Sequence, residues 1–419
     1  MKERALAMKE KVRQTILDST ASCDMIHKLE LVDTLQRIGL DYHYKTEIHE
    51  LLRHVYDDSD GGYDDLYVTS LRFYLLRKHG YTVSSDVFQR FRDEKGNVSS
   101  DDLDYNILQA LYCEELKELT IWWKDFQSQT DLSFARDRLV ELHFWMLGVL
   151  YESCYSYPQI MMTKFTVIAS VFDDLYDNCS TTEEGDIFIG AIERWEEQTQ
   201  EQLPAHLKAI LVNILNTTNK IEEDLKLQEN KHAEMVKKMV INTAKFYHAE
   251  VKWRDEHYVP ATVEEHLQTS VRSSVCMQIT TMSFISLGNV TSREAVEWAF
   301  TFPKLIRGVC MVGRIGNDIV SHEREQESEH VVSTVQTCMK QYGVTVDEAN
   351  DKLRVIIEEA WMDIVEQYLD QKYPIALLEK AVNVAQTMDF MYKHEDAYTL
   401  SFSLKDVIAS MYVNPCELA

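Results

Sequence analysis

Residues 168–177 read Ile168-Ala169-Ser170-Val171-Phe172-Asp173-Asp174-Leu175-Tyr176-Asp177. A long apolar run closes in three carboxylates. Carboxylates at i and i+4 share one helix face, with β-carbons about 5–6 Å apart. Asp173 and Asp177 are therefore placed to grip one cation. Charges at the end of a nearly all-apolar helix are expensive to bury unless paired or metal-bound. The combination points to a mouth, with an apolar cavity below and divalent ions above. The plain alternative is a solvated face, because 69 of the 419 residues are acidic and such pairs arise by chance.

A second cluster shifts the balance. Residues 314–325 read Arg314-Ile315-Gly316-Asn317-Asp318-Ile319-Val320-Ser321-His322-Glu323-Arg324-Glu325. Asn317, Ser321 and Glu325 recur every fourth residue and so line one stripe of a helix. Amide, hydroxyl and carboxylate oxygens make a weak set for calcium or zinc. Magnesium takes oxygen ligands, dehydrates reluctantly and binds through a few carboxylates plus substrate phosphates. An incomplete oxygen shell on each of two helices suits Mg²⁺ ions bridged by a diphosphate.

Asp173-Asp174-x-x-Asp177, followed by Asn317-Asp318-x-x-Ser321-x-x-x-Glu325, resembles the paired metal motifs of class I plant terpene synthases. Either motif alone is weak; both, in this order and spacing, are specific. Phe134-Ala135-Arg136-Asp137-Arg138 is similar to the family's R-x-R element, and Arg194-Trp195 to its Arg-Trp pair. Trp122-Trp123-Lys124-Asp125, Glu141-Leu142-His143-Phe144-Trp145 and the run from Gln36 to Tyr44 also resemble family blocks. The likeness covers nearly the whole chain.

The resemblance implies an Mg²⁺-assisted ionisation of a prenyl diphosphate, with three Mg²⁺ ions expected and Mn²⁺ as an alternative. It assigns metal binding to Asp173, Asp177, Asn317, Ser321 and Glu325. It makes Arg136 and Arg314 the arginines that meet the diphosphate, and Arg138 a further candidate. Asp174 is expected to hold a basic neighbour and Asp318 to be structural, as are Arg307 and Arg324. Aromatic faces stabilise cations by about 0.5–2 kcal/mol each. Trp145, Phe172, Trp253, Tyr392 and Tyr398 are the candidate pocket walls, with ordinary core the preferred reading for Phe172. Asp396-Ala397-Tyr398-Thr399 resembles a loop near the family's site mouth, but Ala397 replaces a usual Gly. If that position needs positive φ, Ala costs on the order of 1 kcal/mol. Ser273-Ser274 is expected to break a helix beside the pocket.

Lys and Arg number 43 against 69 acids, a formal net charge of −26. Such a charge disfavours nucleic acid and anionic membrane as partners. Cys23, Cys113, Cys154, Cys179, Cys276, Cys310, Cys338 and Cys416 show no zinc-like spacing, which fits reduced thiols in a cytosolic protein. No apolar run is long enough to span a bilayer. Met1-Lys2-Glu3-Arg4 opens a mixed-charge helix with neither a secretory nor a transit pattern. Cytoplasmic location and a monomer are the expectations.

Only 13 Gly and 6 Pro occur, and helical periodicity dominates. Leu31, Val32, Leu35 and Ile38 mark one face; Leu71, Tyr74, Leu75 and Leu76 mark another. Met235, Met239, Ile241, Ala244 and Phe246 mark a third; Val355, Ile356, Ala360, Ile364 and Tyr368 a fourth. Pro158, Pro204, Pro303 and Pro374 sit where helices would begin. The fold class is all-α. The resemblance implies a terpenoid synthase helical bundle over residues 103–419, preceded over 1–102 by a truncated α-barrel domain. Family members carry more chain before the residues matching Met1, including an Arg-Arg segment over the active site. They also carry further barrel helices where only Val98-Ser99-Ser100-Asp101-Asp102-Leu103 stands here. A splice form, degraded gene or imperfect gene model is preferred to a naturally compact variant.

The leading expectation is a synthase that converts farnesyl diphosphate to a sesquiterpene. A monoterpene synthase using geranyl diphosphate stands behind it. A truncated homologue that binds without turnover is the non-enzymatic alternative. A chain-elongating prenyltransferase is disfavoured because no second aspartate-rich motif is present.

Overall fold

The computed structural model describes residues 2–21, 24–37, 40–58, 66–84, 87–88, 91, 105–178, 181–195, 203–326, 332–370 and 372–413. Ile38, the junction 98–103, Cys23, Cys179, Cys416 and the side chain of Asp177 lie outside this description. Among the described residues every regular element is a helix, as the periodicity predicts. The chain divides into two compact units, Met1–Ile107 and Leu108–Ala419.

The first unit holds α1 (Lys2–Ala21), α2 (Met25–Arg37), α3 (Lys45–Asp57) and α4 (Leu66–Lys78). In α3, Ile48, Leu51, Leu52 and Val55 fall at i, i+3, i+4 and i+7, and all are buried. That stripe is what an amphipathic helix needs to dock. α1 packs on α3, and α2 on α4. Of the face expected on α4, Leu75 and Leu76 are buried while Tyr74 stays half exposed.

α5 (Tyr105–Gln129) leads into the second unit. There follow α6 (Leu139–Val149), α7 (Ser156–Asn178), α8 (Thr182–Arg194), α9 (Ala205–Leu227) and α10 (Met235–Asp255). Next come α11 (Val263–Ser273), α12 (Cys276–Ser286), α13 (Arg293–Phe300) and α14 (Lys304–Glu325). α15 (Thr334–Tyr342), α16 (Val346–Asp370), α17 (Ile375–Met391) and α18 (Lys405–Tyr412) complete it. Pro204, Pro303 and Pro374 occupy the N-cap positions of α9, α14 and α17, one residue ahead of the expected first helical position. Pro158 is the third residue of α7.

α12 is the centre of this unit, since every residue from Cys276 to Ile285 is buried. A helix without a polar face must be enclosed, and α7, α13, α14 and α17 all pack on it. Its hydroxyls do not demand outside partners: Thr280 and Thr281 donate back to the carbonyls of Cys276 and Met277. The break expected at Ser273-Ser274 falls between α11 and α12. Val275 turns the chain there in the left-handed region, with φ +63°. A β-branched residue seldom adopts that conformation, and such backbone strain is concentrated at functional sites.

α14 crosses α16 and α17 at close range. A β-carbon on Gly308 would lie 3.0 Å from the Ala360 carbonyl oxygen and 2.9 Å from Ile364 Cγ1. The start of α15 is fixed by a capping box of Ser333 and Gln336 and by Asp318 of α14, which accepts from the Thr334 backbone N–H at 2.7 Å. His266 of α11 fills the space beside it, with Nδ1 3.1 Å from Thr337 Oγ1 and Nε2 4.0 Å from Asp318 Oδ2. No helix among the described residues is long and apolar enough to cross a membrane.

Two outcomes are expected. Gly308→Ala must push α14 off α16 against a backbone oxygen, and should destabilise by about 1–3 kcal/mol in chemical denaturation; an unchanged midpoint would refute the close crossing. His266 is held down to about 4, mainly by burial. The unfolded chain then binds the extra proton first as pH falls. Stability should be whole above pH 6.5 and decline between pH 6.5 and 4, by on the order of 3 kcal/mol. His266→Gln should flatten that slope, and an unaltered slope would remove His266 as its source.

Candidate active site

One cavity of about 380 Å³ opens inside the second unit. α7 contributes Asp173 and Asp174; α14 contributes Arg314, Asn317, Asp318 and Glu325. The two oxygen-bearing stretches, 144 positions apart from Asp173 to Asn317, thus border the same space. Leu142, Trp145, Ala169, Ile279 and Met388 give the same cavity apolar lining. α7 supplies both characters because its apolar run packs inward on α6, α10 and α12.

Arg136, in the segment before α6, organises the α7 side. Its Nη2 donates to Asp173 Oδ2 at 2.5 Å and its backbone N–H to Asp174 Oδ2 at 2.8 Å. Its Nε lies 2.7 Å from Asp174 Oδ1, close enough for an ion pair but without hydrogen-bond alignment. Asp174 is almost wholly buried, and that burial lifts its carboxyl to about 6 despite the opposing pull of Arg136. Asp173 is about one-third exposed, with a side-chain accessibility of 31%. The helix carries Asp177 one turn beyond, on the same face, though its side chain is outside the described residues.

The same guanidinium reaches a third element. Arg136 Nη1 donates to Thr399 Oγ1 at 3.1 Å, and its carbon sits 4.7 Å from the centre of the Tyr398 ring. Arg138 donates to the carbonyls of Tyr398 and Thr399 at 3.2 and 3.0 Å. From the other side Arg324 of α14 pairs with Asp396 at 2.7 Å. The strap Asp396–Thr399 is therefore held by arginines from both borders of the cavity. Arg324 is a structural tie, as expected, but one that lines the cavity. Ala397 is buried and is not among the residues with positive φ, so its replacement of Gly carries no backbone strain.

On α14, Arg314 is fixed at the helix break. Its Nε donates to the Ser270 carbonyl at 3.0 Å and its Nη2 to Ser273 Oγ at 2.9 Å. A cation at the end of α11 meets the carbonyls that a helix leaves unpaired there. The carboxylates of Glu250 and Asp318 lie 3.5 and 3.6 Å from it. Burial pushes the Glu250 carboxyl up to about 7, against the pull of Arg314. Asn317 and Glu325 line the cavity; Ser321 lies between them on the same stripe, wholly buried. Its Oγ has no hydrogen-bond partner among the described residues.

Of the expected aromatic walls, Trp145, Tyr392 and Tyr398 line the cavity, and Trp145 contacts each of the two tyrosines. Tyr398 also shares a short hydrogen bond with Ser170. Trp253 is a correction: its indole packs against Tyr258 and His266 and does not line the cavity. α10 turns Tyr247, Glu250 and Arg254 inward, and Trp253 is rotated about 100° from Arg254. Phe172 is fully buried among Tyr176 and Phe188, in the core. Tyr247, Glu250 and Arg254 were not singled out in the sequence, although their i, i+3, i+7 spacing marks one face of α10.

The donor set fits a hard cation. Asp173, Asn317 and Glu325 bring oxygen atoms to the cavity; Ser321, on the same stripe of α14, is not among its lining residues, and its buried Oγ makes no hydrogen bond among the described residues. Among the described residues no three His, Cys, Asp or Glu converge to hold an ion alone. Magnesium sites of this kind complete their shells with water and substrate phosphate. The residues present therefore fit Mg²⁺ acting together with a phosphate-bearing ligand.

Comparison with known proteins agrees with the geometry. Residues 124–363 match the family model for the metal-binding domain of the terpene synthase family, and residues 1–113 match its N-terminal domain. An (E)-beta-caryophyllene synthase of Zea mays is 45% identical, covering 99% of this chain and 91% of that protein. The alignment runs over 502 positions, so that relative carries residues within the matched span which this chain lacks. An (E)-beta-farnesene synthase of Zea diploperennis is 36% identical, covering 100% of this chain and 95% of that protein. Isoprene synthase from grey poplar (Populus x canescens), solved with three Mg²⁺ ions and dimethylallyl-S-thiolodiphosphate, superposes with a TM-score of 0.71. It is 22% identical, covers 99% of this chain and 97% of its own, and so shares the fold. With two family models matched and relatives aligned from end to end, the chain belongs to the terpene synthase family of enzymes.

Proposed function

We propose that this enzyme ionises farnesyl diphosphate with the help of Mg²⁺ and releases a sesquiterpene together with diphosphate. The single observation that carries this reading is the meeting of two oxygen-bearing helix stretches on one cavity that apolar side chains also line. The names of the two maize and teosinte relatives support a fifteen-carbon substrate, and the poplar complex supports three Mg²⁺ ions.

Asp173 and Asp177 on α7, with Asn317, Ser321 and Glu325 on α14, are the proposed metal ligands. When bound, the ions neutralise the leaving diphosphate as Lewis acids. The protein's own residues do the rest. Asp173, which Arg136 holds at the cavity edge, would hold the cation, and the Arg136 guanidinium lines the cavity where it would meet phosphate oxygens. Arg314, locked by Ser270, Ser273 and Glu250, presents a second guanidinium without having to reorganise. Trp145, Tyr392 and Tyr398 offer ring faces to an allylic cation and exclude water from it. Residues 103–419 are the proposed catalytic domain, and residues 1–102 a partial N-terminal barrel. The enzyme is read as a cytosolic monomer with no nucleic-acid partner.

One observation favours a second reading. The residues missing relative to the maize protein leave room for a homologue that binds substrate without turning it over. Gas chromatography of products from geranyl, farnesyl and geranylgeranyl diphosphate, each with Mg²⁺, separates the cases. A sesquiterpene from the farnesyl substrate is expected. A product from the geranyl substrate alone would mark a monoterpene synthase, and analogue binding with no product at all would favour the non-enzymatic reading. Asp173→Ala is expected to lower turnover at least about 100-fold with unchanged helicity by circular dichroism; full activity would remove Asp173 from the metal site.

A further inference from the structure

α18 is an eight-residue helix with no buried residue of its own. A helix this short is marginal in water and depends on what it docks against. Its attachment is polar. Tyr412 Oη lies 2.7 Å from His143 Nδ1, and His143 Nε2 lies 3.0 Å from Glu115 Oε2. His143 and Glu115 are both essentially inaccessible to solvent, at 0% and 2%. α5 adds two further contacts to the same end: Gln109 Nε2 donates to the Met411 carbonyl at 3.2 Å, and Cys113 Sγ to the Tyr412 carbonyl at 3.3 Å. These meet carbonyls that the end of α18 leaves unpaired.

A histidine–glutamate pair buried only for stability is a poor choice. Apolar residues of the same volume serve as well or better, while removal of one partner strands the other. Here Glu115 even keeps its Oε1 without a hydrogen bond among the described residues. What the pair does secure is position. α6 carries His143 in the same turns as Leu142 and Trp145, which line the cavity. α18 follows the strap that bears Asp396, Tyr398 and Thr399 after a 3-10 turn, Ser401–Leu404, in which Leu404 is buried. The strap is tied ahead to α17 and behind to α18. In the second tie, α18 contributes no buried residue.

We propose that Glu115, His143 and Tyr412 form a remote lock that seats α18 and thereby sets the strap over the cavity. The three are positioning residues; none lines the cavity. This rests on the function proposed above. If the strap shields a carbocation from water, loosening its far anchor admits water and diverts product from hydrocarbon to alcohol.

The test uses the full-length chain and Tyr412→Phe, which removes one hydroxyl and keeps the ring beside His143. His143→Leu and His143→Gln form a pair, since the Gln amide retains a donor and an acceptor. Amide hydrogen exchange over residues 394–412 is read first, because it needs no turnover. Tyr412→Phe is expected to speed it roughly three- to tenfold, the factor commanded by one net hydrogen bond. With Mg²⁺ and farnesyl diphosphate, Tyr412→Phe should raise the alcohol-to-hydrocarbon ratio and lower kcat while KM stays within about twofold. His143→Leu should behave likewise, and His143→Gln should recover most of the wild-type ratio. Unchanged exchange overturns the lock. Faster exchange with an unchanged product ratio in a working enzyme overturns its link to the strap. A wild-type chain without turnover, yet with exchange accelerated in the variant, keeps the lock and rejects the function instead.

Discussion

The Arg136 guanidinium, set between Asp173 and Asp174, is the contact on which the rest of the site depends. α7 carries an apolar run into two adjacent acids, one of them buried. A buried carboxylate without a partner is among the costlier defects a fold can hold. Arg136 answers that cost with its backbone N–H and its side chain together. By doing so it fixes the segment before α6, the end of α7 and the strap at Thr399 in one arrangement. It also holds Asp173 at the cavity, paired but partly exposed.

The opposite border is built on a different constraint. α11 and α12 do not continue as one helix, because Val275 takes a left-handed turn. The Ser270 carbonyl and the Ser273 hydroxyl at that break are what hold Arg314. Glu250 then sits in the cavity with its carboxyl lifted by burial and restrained by Arg314. The two arginines are therefore held differently: Arg136 by the carboxylate of Asp173, which lines the cavity, and Arg314 by a backbone carbonyl and a serine hydroxyl. Preorganised charge facing the spot where negative charge develops is the main resource of such a site.

Much of this was legible in the sequence, for identifiable reasons. The paired motifs could be read because helical period places Asp173 with Asp177, and Asn317 with Ser321 and Glu325, whatever the tertiary packing. Leu31, Val32 and Leu35 are a local pattern, and the structure buries all three. What could not be read depended on rotation or on distant partners. Trp253 and Arg254 are neighbours in sequence, yet one packs on His266 and the other faces the cavity. Ala397 looked strained only on the assumption of positive φ. The bracing of Arg314 and the lock at Tyr412 join segments far apart in the chain, and no local pattern announces them.

The central claim is that the α7 and α14 stretches jointly hold an ion–diphosphate cluster above an apolar floor. Crystals grown with Mn²⁺ and inorganic diphosphate, with anomalous scattering recorded at the manganese edge, test it most directly. The expected result is anomalous peaks within coordinating distance of Asp173 on one side and of Asn317, Ser321 and Glu325 on the other, bridged by a single diphosphate. Peaks confined to one helix, or located away from both, would contradict it.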